Sequence, residues 1–118
     1  MTIELKKLTK RFGTLTAVDS VDLTVGDGEV LCLLGPSGCG KTTTLRMVAG
    51  LELASEGEGY LGGKNVSDQA ARDRNVAMSF QFYALYPSLT VAENLAFPLY
   101  GVSVLVKPLF QPIFCYLA

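Results

Sequence analysis

Apolar positions in this chain fall into short runs whose spacing shifts between strand-like and helix-like. Ile3, Leu5 and Leu8 with Phe12, then Val18, Val21, Leu23 and Val25, alternate in part with polar residues, the period of half-buried strands. Gly13 and Thr14 separate the two runs and predict an antiparallel pair. Gly26-Asp-Gly28 reads as a turn, and Glu29 to Leu34 is then near-continuously apolar, as expected of a strand covered on both faces. Lys41 to Gly50 reads as a helix, with Leu45, Met47, Val48 and Leu51 as its apolar surface and Gly50 as its stop. Gly57 to Val66 is a Gly-rich hairpin pattern, Ser67 to Arg74 a polar helical or turn segment, and Val76 to Phe80 a short strand ending at Gln81. Thr90-Val-Ala-Glu93 is a capping box, which predicts a helix start there and a bend or end near Pro98.

The pattern changes at Gly101. Residues 102–118 carry one charge, Lys107, and the prolines Pro108 and Pro112, and match neither an amphipathic helix nor a solvated tail. The segment is shorter than the roughly 20 apolar residues of a membrane-spanning helix, and its prolines interrupt it. Residues 1–100 therefore read as the domain and 101–118 as an atypical apolar tail.

Composition narrows the class. At 118 residues, 49% hydrophobic and 18% charged with 12 glycines, the chain is one folded α/β domain or part of one. A net charge of −1 leaves no basic footprint, so a nucleic-acid partner is not expected. Cys32, Cys39 and Cys115 form no CxxC pair, which argues against a disulfide framework or a zinc site and fits a reducing compartment. The first 20 residues hold Lys6, Lys7, Lys10 and Arg11 without an apolar stretch, unlike a secretory signal.

The most specific chemistry lies at Gly35-Pro-Ser-Gly-Cys-Gly-Lys41-Thr42, which fits GxxxxGK[ST] between an expected strand and an expected helix. Glycines there let the backbone wrap an anion with its N–H groups inward, and the helix N-terminus adds a positive dipole end. Gly38, Cys39, Gly40, Lys41 and Thr42 would present amides to the α- and β-phosphates. Lys41 would reach the β- and γ-phosphates, and the Thr42 hydroxyl would take one position on Mg²⁺. The expected ligand is a nucleoside triphosphate with magnesium. A Gly-rich turn without a ligand has no need of Lys-Thr after its last glycine.

Three side chains have two readings. Periodicity makes Phe12 a strand-end core residue, and its aromatic face also makes it a stacking platform for a base. Gln81 is an ordinary loop glutamine or a carbonyl aimed at a metal, and spacing does not decide. Cys39 is a small filler of the loop, the preferred reading, or a thiol activated by the helix N-terminus.

Leu8-Thr-Lys-Arg-Phe-Gly13, Gly35 to Thr43 with Leu45-Arg-Met-Val-Ala-Gly-Leu51, and Phe80-Gln-Phe-Tyr-Ala-Leu-Tyr-Pro87 with Thr90-Val-Ala-Glu-Asn94 together resemble the ATP-binding subunit of an ABC transporter. The sugar-importer type, of the maltose and glycerol-3-phosphate uptake kind, is the nearest pattern, from about Met1 to Tyr100. The resemblance implies an α/β P-loop NTPase fold in incomplete form, with an antiparallel β subdomain followed by the P-loop strand and helix. It implies ATP and Mg²⁺ as ligands, with Gly35, Pro36, Ser37, Gly38, Cys39, Gly40, Lys41, Thr42 and Thr43 around the nucleotide. It moves Phe12 from core to adenine platform, and assigns Thr42 and Gln81 to the metal, with Gln81 also positioning water and sensing the γ-phosphate. Phe82, Tyr83, Leu85 and Tyr86 become candidate contacts to a coupling helix of a transmembrane permease subunit, against a reading of local packing. A second ATP-binding subunit and a peripheral place on the cytoplasmic face of the membrane are implied as well.

The family pattern has counterparts missing from this sequence. There is no LSGGQ signature, no Walker B strand ending in Asp-Glu, and no histidine at all. Leu61-Gly-Gly-Lys64 lies in the early hairpin and lacks the Ser and Gln of the signature, and Val21-Asp-Leu-Thr-Val25 precedes the P-loop and lacks the second carboxylate. Phosphoryl transfer to water needs those groups, so binding of ATP without its hydrolysis is expected. A truncation or frameshift near Gly101 would account for the tail, and would leave the strand before the P-loop unpaired and the chain marginally stable. An inactive nucleotide-binding fragment or regulatory module without a transport role is the alternative. A small-molecule kinase does not explain Phe80 to Asn94.

Overall fold

The computed structural model describes residues 1–80 and 85–97 and the backbone of 114–116. Strands β1 (Ile3–Phe12) and β2 (Leu15–Val25) form the expected hairpin, with Phe12 opposite Leu15 and Ile3 opposite Val25. Its two-residue turn starts at Gly13 with φ 58°, a left-handed conformation that glycine adopts without a Cβ clash. β3 (Glu56–Leu61) pairs with the other edge of β1, and β4 (Lys64–Asn65) folds back on β3, giving the antiparallel order β2-β1-β3-β4.

The imperfect alternation in β1 has a structural cause. Between Leu5 and Leu8 the register slips, and Lys7 sits at φ 50°. Asp22 of β2 holds this bulge by accepting from the Lys7 backbone N–H at 2.9 Å and from its ammonium at 2.6 Å. Those bonds pull the Asp22 carboxyl below its ordinary range. Asp22 is thus a clamp on the sheet. The extra residue turns both Leu5 and Leu8 into the core, which strict alternation would not do.

Helix α1 (Lys41–Val48) contributes Met47 and Val48 to a core with Ile3, Leu5, Leu8, Val18, Val25, Leu61 and Val66. Each such side chain stabilises the fold by about 1.5–3 kcal/mol through burial. The helix stops as its sequence predicts. Gly50, at φ 75°, donates to Met47 O at 3.2 Å and Leu51 donates to Arg46 O at 2.9 Å, the bond pair of a Schellman cap.

A second element secures the same helix end. After a 3-10 turn over Ala71–Asp73, the Arg74 side chain runs inward and is buried. Its guanidinium donates to Met47 O at 2.6 Å, Val48 O at 3.1 Å and Gln69 O at 2.9 Å. A cation at the negative end of the helix dipole is favourable, and the guanidinium brings further donors to the last-turn carbonyls of Met47 and Val48. Burial lowers the Arg74 pKa from its ordinary value.

β5 (Ala77–Ser79) falls within the expected Val76 to Phe80 run, and α2 (Val91–Ala96) starts at the capping box. Thr90 Oγ1 accepts from the Glu93 N–H at 3.3 Å while the Glu93 carboxylate accepts from the Thr90 N–H at 2.7 Å. β6 (Phe114–Tyr116), from the apolar tail, lies parallel to β5 with Ala77 opposite Phe114.

One expectation fails. Glu29 to Leu34 forms no strand, and the chain there joins no ladder among the described residues. A strand exists only through hydrogen-bonded neighbours, and the four-stranded sheet has β2 and β4 at its edges, neither paired with this run. Val30 and Leu34 are consequently 88% and 91% exposed. The expected two-sided cover is absent among the described residues.

Candidate nucleotide-binding site

The loop from Gly35 to Gly40 enters α1 through three glycines at positive φ: Gly35 at 154°, Gly38 at 82° and Gly40 at 92°. Gly40 is the N-cap, and it lies against the sheet so closely that a Cβ there would come within 2.4 Å of Ala17 O. This contact seats the loop on β2. Pro36 O accepts from the Cys39 N–H at 3.4 Å, which closes the turn.

At the entry to α1 the Gly40 position has no side-chain cap, and the first turn contains no acidic residue. The N–H groups of a first helical turn have no intrahelical acceptors, so they are open to an external anion. Lys41 folds back over the loop, donating to Gly35 O at 2.7 Å and Pro36 O at 2.8 Å, with Cys39 Sγ 3.5 Å away. Its ammonium therefore braces the loop at the mouth of this donor set. Thr42 and Thr43 follow on the first turn, and Thr44 bonds its hydroxyl to Gly40 O at 3.0 Å. Exposed glycines, an uncapped helix start and a bracing lysine fit a polyphosphate.

Phe12 is 47% exposed and outside the core, contrary to the reading from periodicity. It lies opposite Leu15 at the tip of the hairpin, two residues along β2 from Ala17, where Gly40 touches the sheet. Strand rise puts those points about 7 Å apart. The hairpin tip and the loop thus share one end of the sheet.

Leu85 and Tyr86 lie outside the core, 71% and 47% exposed. The Asn94 side chain pins this stretch: Oδ1 accepts from the Tyr86 N–H at 2.9 Å, and Nδ2 faces Tyr86 O, Leu89 O and Thr90 O at 3.0–3.2 Å. The Tyr86 ring packs on Phe97 at 4.4 Å between centroids. Gln81, Phe82 and Tyr83, predicted as metal and partner contacts, lie outside the described residues.

Several contributors escape sequence reasoning. Lys10 pairs with Glu52 and stands over the Phe12 ring, 4.9 Å from its centroid. Their spacing of two on a strand was the only local signal. Arg74 acts through the main-chain carbonyls of Met47 and Val48, far along the chain, which no motif marks. A water-sized cavity of about 20 Å³ near Leu8, Met47 and Arg74 lies in the core, apart from the loop.

The family model described as ABC transporter matches residues 18–112. The chain is 46% identical, over 90% of its length, to the Fe(3+) ions import ATP-binding protein FbpC of Escherichia coli K12. It is 54% identical over 82% of its length to the trehalose/maltose import ATP-binding protein MalK of Thermococcus litoralis. With the trehalose import ATP-binding protein SugC of Mycobacterium tuberculosis H37Rv it shares 60% over 71% of its length. It spans 30%, 28% and 21% of those relatives. Among solved structures, the ATP-binding cassette MJ0796 in its dimeric post-hydrolysis state, bound to ADP and Pi, superimposes with a TM-score of 0.77 at 30% identity. That match covers 89% of this chain and 50% of the cassette. The phosphate-type loop, the fold around it and the family match agree, and the chain belongs to the ABC transporter family, within the ATP-binding cassette fold.

Proposed function

We propose that this chain binds Mg²⁺–ATP at Gly35 to Thr43 and takes the part of the ATP-binding subunit of an importer. The observation that carries the reading is the α1 entry, uncapped and free of acidic residues in its first turn, with Lys41 braced across it. Lys41 has three donors, and with two on loop carbonyls the third goes to a β- or γ-phosphate oxygen, a stronger acceptor than the Cys39 sulfur. Thr42 and Gln81 take Mg²⁺ together with the phosphates. No cluster of three His, Cys, Asp or Glu exists among the described residues to hold an ion alone, and magnesium is commonly held through substrate phosphates. Phe12 stacks on the base.

The 118-residue chain binds ATP without turning it over, because no histidine and no Asp-Glu strand end is present to position water. Partner contacts at Phe82, Tyr83, Leu85 and Tyr86 receive a permease subunit, and a second cassette completes the nucleotide site. Attachment at the cytoplasmic face of a membrane comes through those subunits, and no helix among the described residues is long and apolar enough to cross one. A carbohydrate is the favoured solute: the sugar-import relatives are 53–60% identical to the chain, and the iron-import ones 45–47%.

Calorimetric titration with ATP, with and without Mg²⁺, tests the reading. Lys41→Ala removes charge-assisted bonds worth about 1.5–3 kcal/mol, so affinity should fall roughly 10- to 150-fold. Unchanged affinity would show that the phosphates sit elsewhere. Phosphate release at the rate of a complete ATPase would overturn the non-hydrolytic assignment.

A further inference from the structure

We propose that Lys10 is a positioning residue of the nucleotide site, which locks the Phe12 ring as a base platform and ties it to the end of the phosphate-binding helix. The inference rests on the ATP-binding reading above and concerns how the base, as distinct from the phosphates, is held.

Lys10 is the less exposed partner of its ion pair, its side chain 13% exposed. Its ammonium is fixed from two sides, by Glu52 Oε1 at 2.7 Å and Leu53 O at 2.7 Å. A third neighbour is the Phe12 ring, whose centroid lies 4.9 Å away, inside the range over which a cation is drawn to an aromatic face. One face of the ring is thereby occupied while the residue stays 47% exposed, leaving ring surface for a ligand. A cation under one face also offsets the negative quadrupole of the ring, which favours stacking of an electron-rich base on the other.

Glu52 is equally well placed. It directly follows the α1 cap, and the N–H groups of Leu51 and Glu52 both donate to Arg46 O, at 2.9 and 3.3 Å. The next residues are stitched to β1: Ser55 donates to Thr9 O at 2.8 Å, its hydroxyl accepts from the Arg11 N–H at 3.0 Å, and Arg11 pairs with Glu56. A continuous path thus runs from the helix that starts at Lys41, through Arg46, Glu52 and Lys10, to Phe12. The Glu52 carboxyl is held below its ordinary range by the bond from Lys10, so it is ionised at neutral pH.

Titrations of the 118-residue chain with ATP and with inorganic triphosphate separate this role from a general structural one. Lys10→Met should weaken ATP roughly two- to fivefold, the size of an exposed cation–π contact, and leave triphosphate affinity unchanged. Lys10→Arg should restore ATP binding, and Glu52→Gln should reproduce the loss in smaller degree, so the result does not depend on one variant folding. In a Phe12→Ala background, Lys10→Met should have no further effect. Equal weakening of both ligands, unchanged ATP affinity, or a full Lys10 effect without the Phe12 ring would each overturn the proposal while leaving the ATP site standing. A wild-type chain that binds neither ligand would remove the ATP-binding reading and this inference with it.

Discussion

Gly40 concentrates the constraints on the loop in one residue. Its φ of 92° excludes most side chains, and a Cβ would stand 2.4 Å from Ala17 O and 3.2 Å from Val18 Cγ2. Gly40→Ala should therefore cost at least about 1–3 kcal/mol in backbone strain alone, and should push the loop off β2. A lowered urea midpoint with weakened ATP binding is the expected outcome, and an unchanged midpoint would refute the contact. The motif made Gly40 and Lys41 legible, because a phosphate loop demands those residue types in that order. Arg74 was not legible. Arg72 and Arg74 occupy the same polar stretch, yet the Arg72 side chain is 87% exposed and Arg74 is buried, and only the carbonyls at the distant α1 end distinguish them. Phe12 shows the converse, since its apolar character suggested the core while its place at the hairpin tip leaves it exposed.

At the scale of elements, those with local determinants formed as read. The α2 capping box is complete within four residues, and accepting from the Thr90 N–H and hydroxyl holds the Glu93 carboxyl below its ordinary range. A depressed folded pKa contributes stability that is fully present above the unfolded value and lost as pH falls through the folded one. The start of α2 should accordingly fray on acidification only below the ordinary glutamate range, followed by amide and carboxyl NMR shifts of Thr90 and Glu93. A Glu93 titration at or above the ordinary value would contradict the box. Glu29 to Leu34 is the contrasting case: its composition is that of a buried strand, yet no ladder forms among the described residues, because pairing needs a neighbour that composition does not supply. The bulge at Lys7 was visible only as a three-residue step between Leu5 and Leu8, and its clamp by Asp22 joins positions 15 apart.

For the whole molecule, the unpaired run matters most. Val30, Leu34, Leu85, Val91 and Leu95 are each more than 70% exposed, and apolar surface left open in this amount promotes association. The chain in isolation should give a broad, concentration-dependent melt with rising light scatter, and Leu34→Gln with Val30→Thr should reduce the scatter. A sharp, cooperative melt independent of concentration would refute this. By itself the sequence determined the two early hairpins, the α1 and α2 helices with their caps, and the glycine-rich entry to α1 at Gly35 to Gly40, because each depends on residues a few positions apart. Tertiary structure alone decided that Arg74 closes α1, that Lys10, paired with Glu52, stands over the Phe12 ring, that the tail contributes a strand beside β5, and that Glu29 to Leu34 stays outside the sheet. Those outcomes hang on hydrogen-bond partners distant in the chain, whose positions exist only once the sheet and helix have come together.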